Sequence, residues 1–146
     1  MAEAGLRKLL DKKNIDDITV YSSGTAAASG YPATAYAIEA VRIWEADLTR
    51  HTSTPLTARL IEETDMILCM TPSHCEEVLR IQPEAGTKTF LLKKYPKPGC
   101  RGEGIDDPIG GSLEMYNRTF IEIGEELGRI LDDILEKASR KKDLKP

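Results

Sequence analysis

Apolar side chains recur at three- and four-residue intervals in the opening stretch, MAEAGLRKLLDKKN, where Ala2, Leu6, Leu9 and Leu10 share one face and lysine and aspartate occupy the other. That spacing predicts an amphipathic helix with Asn14 as its stop. The pattern then changes. The β-branched run in ITVYSSG predicts a strand over residues 18–21, and the small residues of 22–30 predict a loop. A second helix is expected over residues 33–45, with Ala37, Val41 and Trp44 on one side. Thr57 is placed to cap a third helix over 58–64, with Leu56 and Ile61 at the positions of a hydrophobic staple. The continuous apolar run MILCM, residues 66–70, predicts a strand buried on both faces. Thr71 caps a fourth helix that has Pro72 at its first position. KTFLLK, residues 88–93, predicts another strand, and the Pro- and Gly-rich segment 95–111 a loop of functional length. Ser112 caps a long final helix whose core side carries Leu113, Tyr116, Phe120, Ile123, Leu127, Ile130 and Ile134.

Strands alternating with helices argue an α/β fold with a parallel sheet covered on both faces, and ligands in such sheets bind at the carboxyl ends of the strands. The 146 residues are expected to form one domain, 1–146, long enough to bury a core without staples. A net charge of −4 gives no footprint for nucleic acid or an anionic membrane. The basic run KASRKKDLKP suits the C-terminal end of a helix dipole. Three cysteines, Cys69, Cys75 and Cys100, with no Cys-x-x-Cys pair, indicate neither a disulfide framework nor a zinc knuckle, and a reducing, cytoplasmic compartment fits them best. Cys69 reads as a buried inert thiol, and Cys75 and Cys100 as surface thiols without a role, with redox activity the alternative. His51 and His74 are isolated, so no metal is expected, and nothing calls for a cofactor. No apolar run reaches the roughly 18 residues of a membrane span. Glu3, Arg7 and Lys8 interrupt any signal-like start.

The stretch IDDPIGGS, residues 105–112, sets two adjacent carboxylates in front of a proline and a glycine pair. With it, SSGTAA (22–27), HTSTPLT (51–57), DMILCMTPSH (65–74) and DPIGGSLEMYNRT (107–119) occur in an order and at separations that resemble the low-molecular-weight protein-tyrosine phosphatases. The resemblance is to their bacterial branch, which includes arsenate-reductase-like and protein-arginine-phosphatase members. It implies a three-layer sandwich around a four-stranded parallel sheet whose first strand is interior. It also implies an N-terminal Cys-x5-Arg-Ser loop followed by Pro-Met-Ala-Glu. Met1-Ala2-Glu3-Ala4 matches the end of that signature, and none of the three cysteines is followed six places later by arginine. The expectation is an N-terminally truncated phosphotyrosine protein phosphatase type I domain that supplies three of the four strands. The lost strand and loop would span roughly 13–16 residues and leave a groove edged by unpaired backbone.

In such enzymes a thiolate attacks phosphorus to form a phospho-enzyme, backbone N–H groups and a guanidinium hold the transferring oxygens, and a separate acid protonates the leaving group. By resemblance Asp107 is that acid, with Pro108 and Gly110 holding its loop at the mouth of the pocket. Asp106 reads as solvated. Ser22 stands where the family supports the phosphate loop, although a strand-end turn hydroxyl explains it equally well. Ile109 would line the substrate mouth, where relatives often carry an aromatic. Tyr116 and Trp44 read as packing residues. The implied function is hydrolysis of phosphotyrosine or phosphoarginine in a phosphorylated protein partner. The alternatives are a catalytically dead pseudophosphatase or binding module, an arsenate-reductase-like activity, and a second chain that donates the missing strand and loop. The residues carry no sign of oligomeric state.

Overall fold

The computed structural model describes residues 1–143, so the last three residues of the basic C-terminal run lie outside it. The first helix, α1, spans Ala2–Lys12 and buries Ala4, Leu6 and Leu10. It ends as expected at Asn14, whose φ of 56° is a left-handed conformation that asparagine tolerates. The second, α2, covers Ala35–Val41, shorter than the sequence suggested at both ends. Thr34 caps it by accepting from the Ala37 N–H at 3.2 Å, and past Val41 the chain tightens into a 3-10 turn, Arg42–Trp44. Helices α3 (Ala58–Glu63) and α4 (Pro72–Ile81) begin at the expected caps, Thr57 accepting from Leu60 N and Thr71 from His74 N. The long α5, Leu113–Asp143, starts behind Ser112, whose hydroxyl accepts from Met115 N at 3.4 Å.

Among the described residues the sheet has two strands, β1 (Ile67–Cys69) and β2 (Thr89–Leu91), paired in parallel with Leu68 opposite Phe90. Residues 18–21, expected as a strand, join no ladder. They line an open groove together with β1, and the Val20 carbonyl is taken up by the Arg7 guanidinium at 3.1 and 2.5 Å. The same groove corrects the expectation that residues 66–70 are buried on both faces: Ile67 and Leu68 are half-buried, because β1 has a neighbour on one edge only. The second strand stops at Leu91 and the chain bends into a 3-10 turn, Leu92–Lys94, whose carbonyl at Leu92 accepts from Arg129 at 3.0 Å.

Helices nonetheless cover both faces of the sheet. Alternation sends Leu68 and Phe90 toward α1 and α5, where they meet Leu6, Leu10, Ile123 and Leu127. It sends Cys69 and Leu91 the other way, onto Ile61 of α3 and Cys75 and Val78 of α4. A third cluster joins α2 to α5 through Ala40, Val41 and Phe120. No helix among the described residues is long and apolar enough to cross a membrane.

Two contacts in this frame yield predictions. Trp44 stacks edge-on to Phe120 (centroids 5.3 Å apart) and lies over Gly124 in mid-α5, where an added Cβ would sit 2.1 Å from the indole. Alanine favours a helix over glycine by about 1 kcal/mol, but overpacking costs about 1–3 kcal/mol. Gly124→Ala is therefore expected to lower stability and shift Trp44 fluorescence, and an unchanged urea midpoint and spectrum would contradict this packing. Buried Tyr95 donates its hydroxyl to Asp133 and accepts from Lys137 at 2.6 Å. The Tyr95 hydroxyl, more than Lys137, holds the Asp133 carboxyl below the usual carboxylate range. Because that folded value is depressed, the stabilisation is present above the unfolded pKa and is lost as pH falls through the folded one. Tyr95→Phe should cost about 1 kcal/mol at neutral pH, and urea melts repeated near pH 3 should show a smaller penalty.

Candidate functional site

The groove beside β1 encloses about 1210 Å³. Leu6, Ile123 and Leu127 line it together with Val20 and Leu68. Its rim, at the carboxyl end of β1, collects Met1 and Glu3 from the start of α1, Ser22, Thr71 and Asp107.

Asp107 reaches that rim because its loop is fastened from both sides. Upstream, the Ile105 N–H donates to the Met70 carbonyl at 2.8 Å, and the Ile105 side chain is buried in the core. This approach requires Gly104, since a Cβ there would stand 2.8 Å from the Met70 oxygen. Downstream, Pro108 is buried and its carbonyl accepts from Gly111 N at 2.8 Å, in a turn that gives Gly110 a φ of 78°. The carboxylate itself is exposed, and one oxygen accepts from Ile109 N at 3.0 Å. The arrangement is a carboxylate with one free oxygen on a stiff turn above a strand end. Asp106 is also exposed. Ile109 is 71% exposed and stands beyond the groove's lining, on the turn just past the acid.

Ser22 lies in the same rim, and its hydroxyl donates to Glu3 at 2.6 Å. Glu3 is a hub: its carboxylate also pairs with Arg7 at 2.8 Å and stands 3.7 Å from His51 Nδ1, with only 12% of its side chain exposed. A second cavity of about 390 Å³ opens behind it, lined by Arg7, Ser22, Arg50 and His51. Sequence reasoning assigned Glu3 no role; the available signal was its position in the Met-Ala-Glu stretch, a carboxylate in the first turn of a helix. Tyr116 is buried and Trp44 half-buried, both as packing residues. Among the described residues no group of three or more His, Cys, Asp or Glu side chains is arranged to hold a metal ion.

Fold and rim together define an α/β domain with an acid loop over the carboxyl end of a parallel sheet. The chain belongs to the low molecular weight phosphotyrosine protein phosphatase family, whose model matches residues 1–142. It is 35% identical over 141 residues to a protein-arginine-phosphatase of Bacillus subtilis (strain 168), covering 96% of this chain and 90% of that protein. Its fold superposes with a TM-score of 0.83 on a YwlE arginine phosphatase mutant with a phosphorylated active-site serine, at 32% identity and covering 95% of this chain and 88% of that one. It is similarly close to Vibrio vulnificus Wzb in complex with benzylphosphonate, with a TM-score of 0.78, 33% identity and coverage of 90% and 87%.

The Glu3 hub is testable by a double-mutant cycle. Glu3→Gln and Ser22→Ala are each expected to destabilise, with a coupling of about 1.5 kcal/mol in chemical denaturation, the low end for a hydrogen bond to a charged acceptor. Strictly additive effects would show that the short contact carries no energy.

Proposed function

We propose that this domain acts as a protein phosphatase on phosphotyrosine or phosphoarginine side chains, through a cysteinyl-phosphate and with Asp107 as general acid. The observation that carries this reading is the placement of the Asp107 carboxylate, one oxygen free, over the groove at the end of β1 and beside the start of α1.

Phosphoryl transfer by this route needs a thiolate within a cradle of N–H donors. Neither Cys69, Cys75 nor Cys100 begins a Cys-x5-Arg sequence. In this reading the nucleophile comes from a strand and loop that residues 1–146 do not carry. The strand occupies the groove between β1 and residues 18–21 as the interior strand of a four-stranded parallel sheet. Its loop then meets the N-terminus of α1, where helix N–H groups and the dipole favour an anion. The thiolate attacks phosphorus, the P–O or P–N bond breaks, and Asp107 gives its proton to the departing oxygen or nitrogen. Water then attacks the phosphocysteine with Asp107 as base; the new P–O bond forms, the P–S bond breaks, and phosphate and the thiolate are released. Ser22, held by Glu3, steadies the loop, and Ile109 offers the substrate an aliphatic flank. The covalently phosphorylated serine of the YwlE mutant supports a route through a phospho-enzyme.

The test joins a strand ending in Cys-x5-Arg-Ser to Met1. Residues 1–146 alone should hydrolyse p-nitrophenyl phosphate no faster than their Asp107→Asn variant, whereas the joined protein turns over. In the joined protein Asp107→Asn should lower kcat by about 10²–10⁴-fold on phenyl phosphate. The loss should be smaller on p-nitrophenyl phosphate, whose phenolate leaves without a proton. Turnover by 1–146 that depends on Asp107 would overturn the assignment of the nucleophile. A joined protein indifferent to Asp107→Asn would overturn that of the acid.

A further inference from the structure

On the sheet face turned away from α1 and α5, three thiols that are distant in sequence come together. Cys69 ends β1, Cys75 lies in the first turns of α4, and Cys100 lies in the loop after β2. All three are free. The expectation that Cys75 is a surface thiol is corrected by the structure, which buries it completely. It packs in one cluster with Cys69 and with Cys100 against it, and its sulfur lies 3.9 Å from the carbonyl oxygen of Gly99, the residue before Cys100. Gly99 in turn bridges to Phe90 of β2, so the backbone that carries Cys100 is fixed against the sheet on one side and Cys75 on the other.

The three sulfurs are not equivalent. Cys69 and Cys75 are buried, and Cys100 is half-exposed. Burial pushes the thiols of Cys69 and Cys75 up, that of Cys69 to about 11, so both resist ionisation. A solvent-borne oxidant therefore meets Cys100 first, and the Cys75 sulfur lies against the carbonyl of the residue that precedes it.

We infer that Cys100 is an oxidation site and Cys75 its built-in resolving thiol, the pair closing a reversible disulfide when the protein meets a hydroperoxide. In the first step the Cys100 sulfur attacks a peroxide oxygen. An S–O bond forms, the O–O bond breaks, and with hydrogen peroxide one water leaves. In the second, the Cys75 sulfur attacks the sulfenyl sulfur as its proton passes to the hydroxyl. The S–S bond forms, the S–O bond breaks, and the hydroxyl departs with the proton as a second water. The two sulfurs together lose the two electrons that the peroxide gains. Closing this pair staples the start of the Asp107 loop to α4, and a prompt disulfide diverts Cys100 from irreversible sulfinic acid. This assignment does not depend on the phosphatase mechanism.

The test is peptide mapping of the full chain after brief hydrogen peroxide treatment and alkylation, without reductant. Trypsin releases Cys69 and Cys75 together on residues 60–80 and Cys100 on residues 95–101. The expected product is a cross-link between these two peptides that dithiothreitol reverses. Fragmentation between the two cysteines of the first peptide should place the link on Cys75, which decides the matter without any variant. Cys69→Ala should keep the link. Cys75→Ala should lose it and accumulate sulfinic acid at Cys100. In guanidinium chloride the preference for Cys75 over Cys69 should vanish. A link to Cys69, a link between two chains, sulfinic acid at Cys100 with Cys75 intact, or the same preference in the denatured chain would each overturn the inference.

Discussion

The hydrogen bond from Ile105 N–H to the Met70 carbonyl is the constraint on which the candidate site depends. It joins the last turn of the sheet to the loop bearing Asp107, and it forms only because Gly104 presents no side chain to the Met70 oxygen. The buried Ile105 side chain ties the same point to the cluster shared by α1 and α5, so core packing sets the position of the acid. The carboxylate itself stays in solvent. Burying a charge without a partner costs several kcal/mol, and the loop avoids that cost by taking its stiffness from Pro108, the backbone turn and the Ile109 amide.

What was legible in the sequence was what is decided locally. A threonine or serine hydroxyl satisfies an amide two or three residues on, so Thr57, Thr71 and Ser112 mark the starts of α3, α4 and α5 without reference to the rest of the chain. Strand extents were not legible, because a ladder needs a neighbour that propensity does not describe. Residues 18–21 have the composition of a strand and no partner strand among the described residues, and KTFLLK leaves the sheet early where Arg129 of α5 takes the Leu92 and Tyr95 carbonyls.

The rim divides in the same way. Asp107 and Ser22 were readable because they lie in short motifs. Glu3 as a hub was not, since Ser22 and His51 reach it from other parts of the chain. The burial of Cys75 was readable and missed: with Val78 it falls on one face of α4, at the three-residue spacing that marks a helix's core side.

The strand that places the acid also carries one of the three thiols. Alternation along β1 turns Leu68 toward the cluster shared by α1 and α5 and Cys69 toward α4, and both side chains line the groove. The segment from Cys100 to Asp107 runs from one face to the other. It is held at Cys100 by the thiol cluster and at Ile105 by Met70, and between them Arg101, Gly102 and Glu103 are exposed, Gly102 with a φ of 143°. A covalent link at Cys100 would leave the resting position of Asp107 unchanged, because the Ile105 contact already fixes it. It would restrict excursions of the loop away from the strand end, since the intervening residues are too few to let one end move while the other is stapled. Sulfur chemistry on one face would thus bear on the acid through the loop's freedom to open, with no change in its closed geometry.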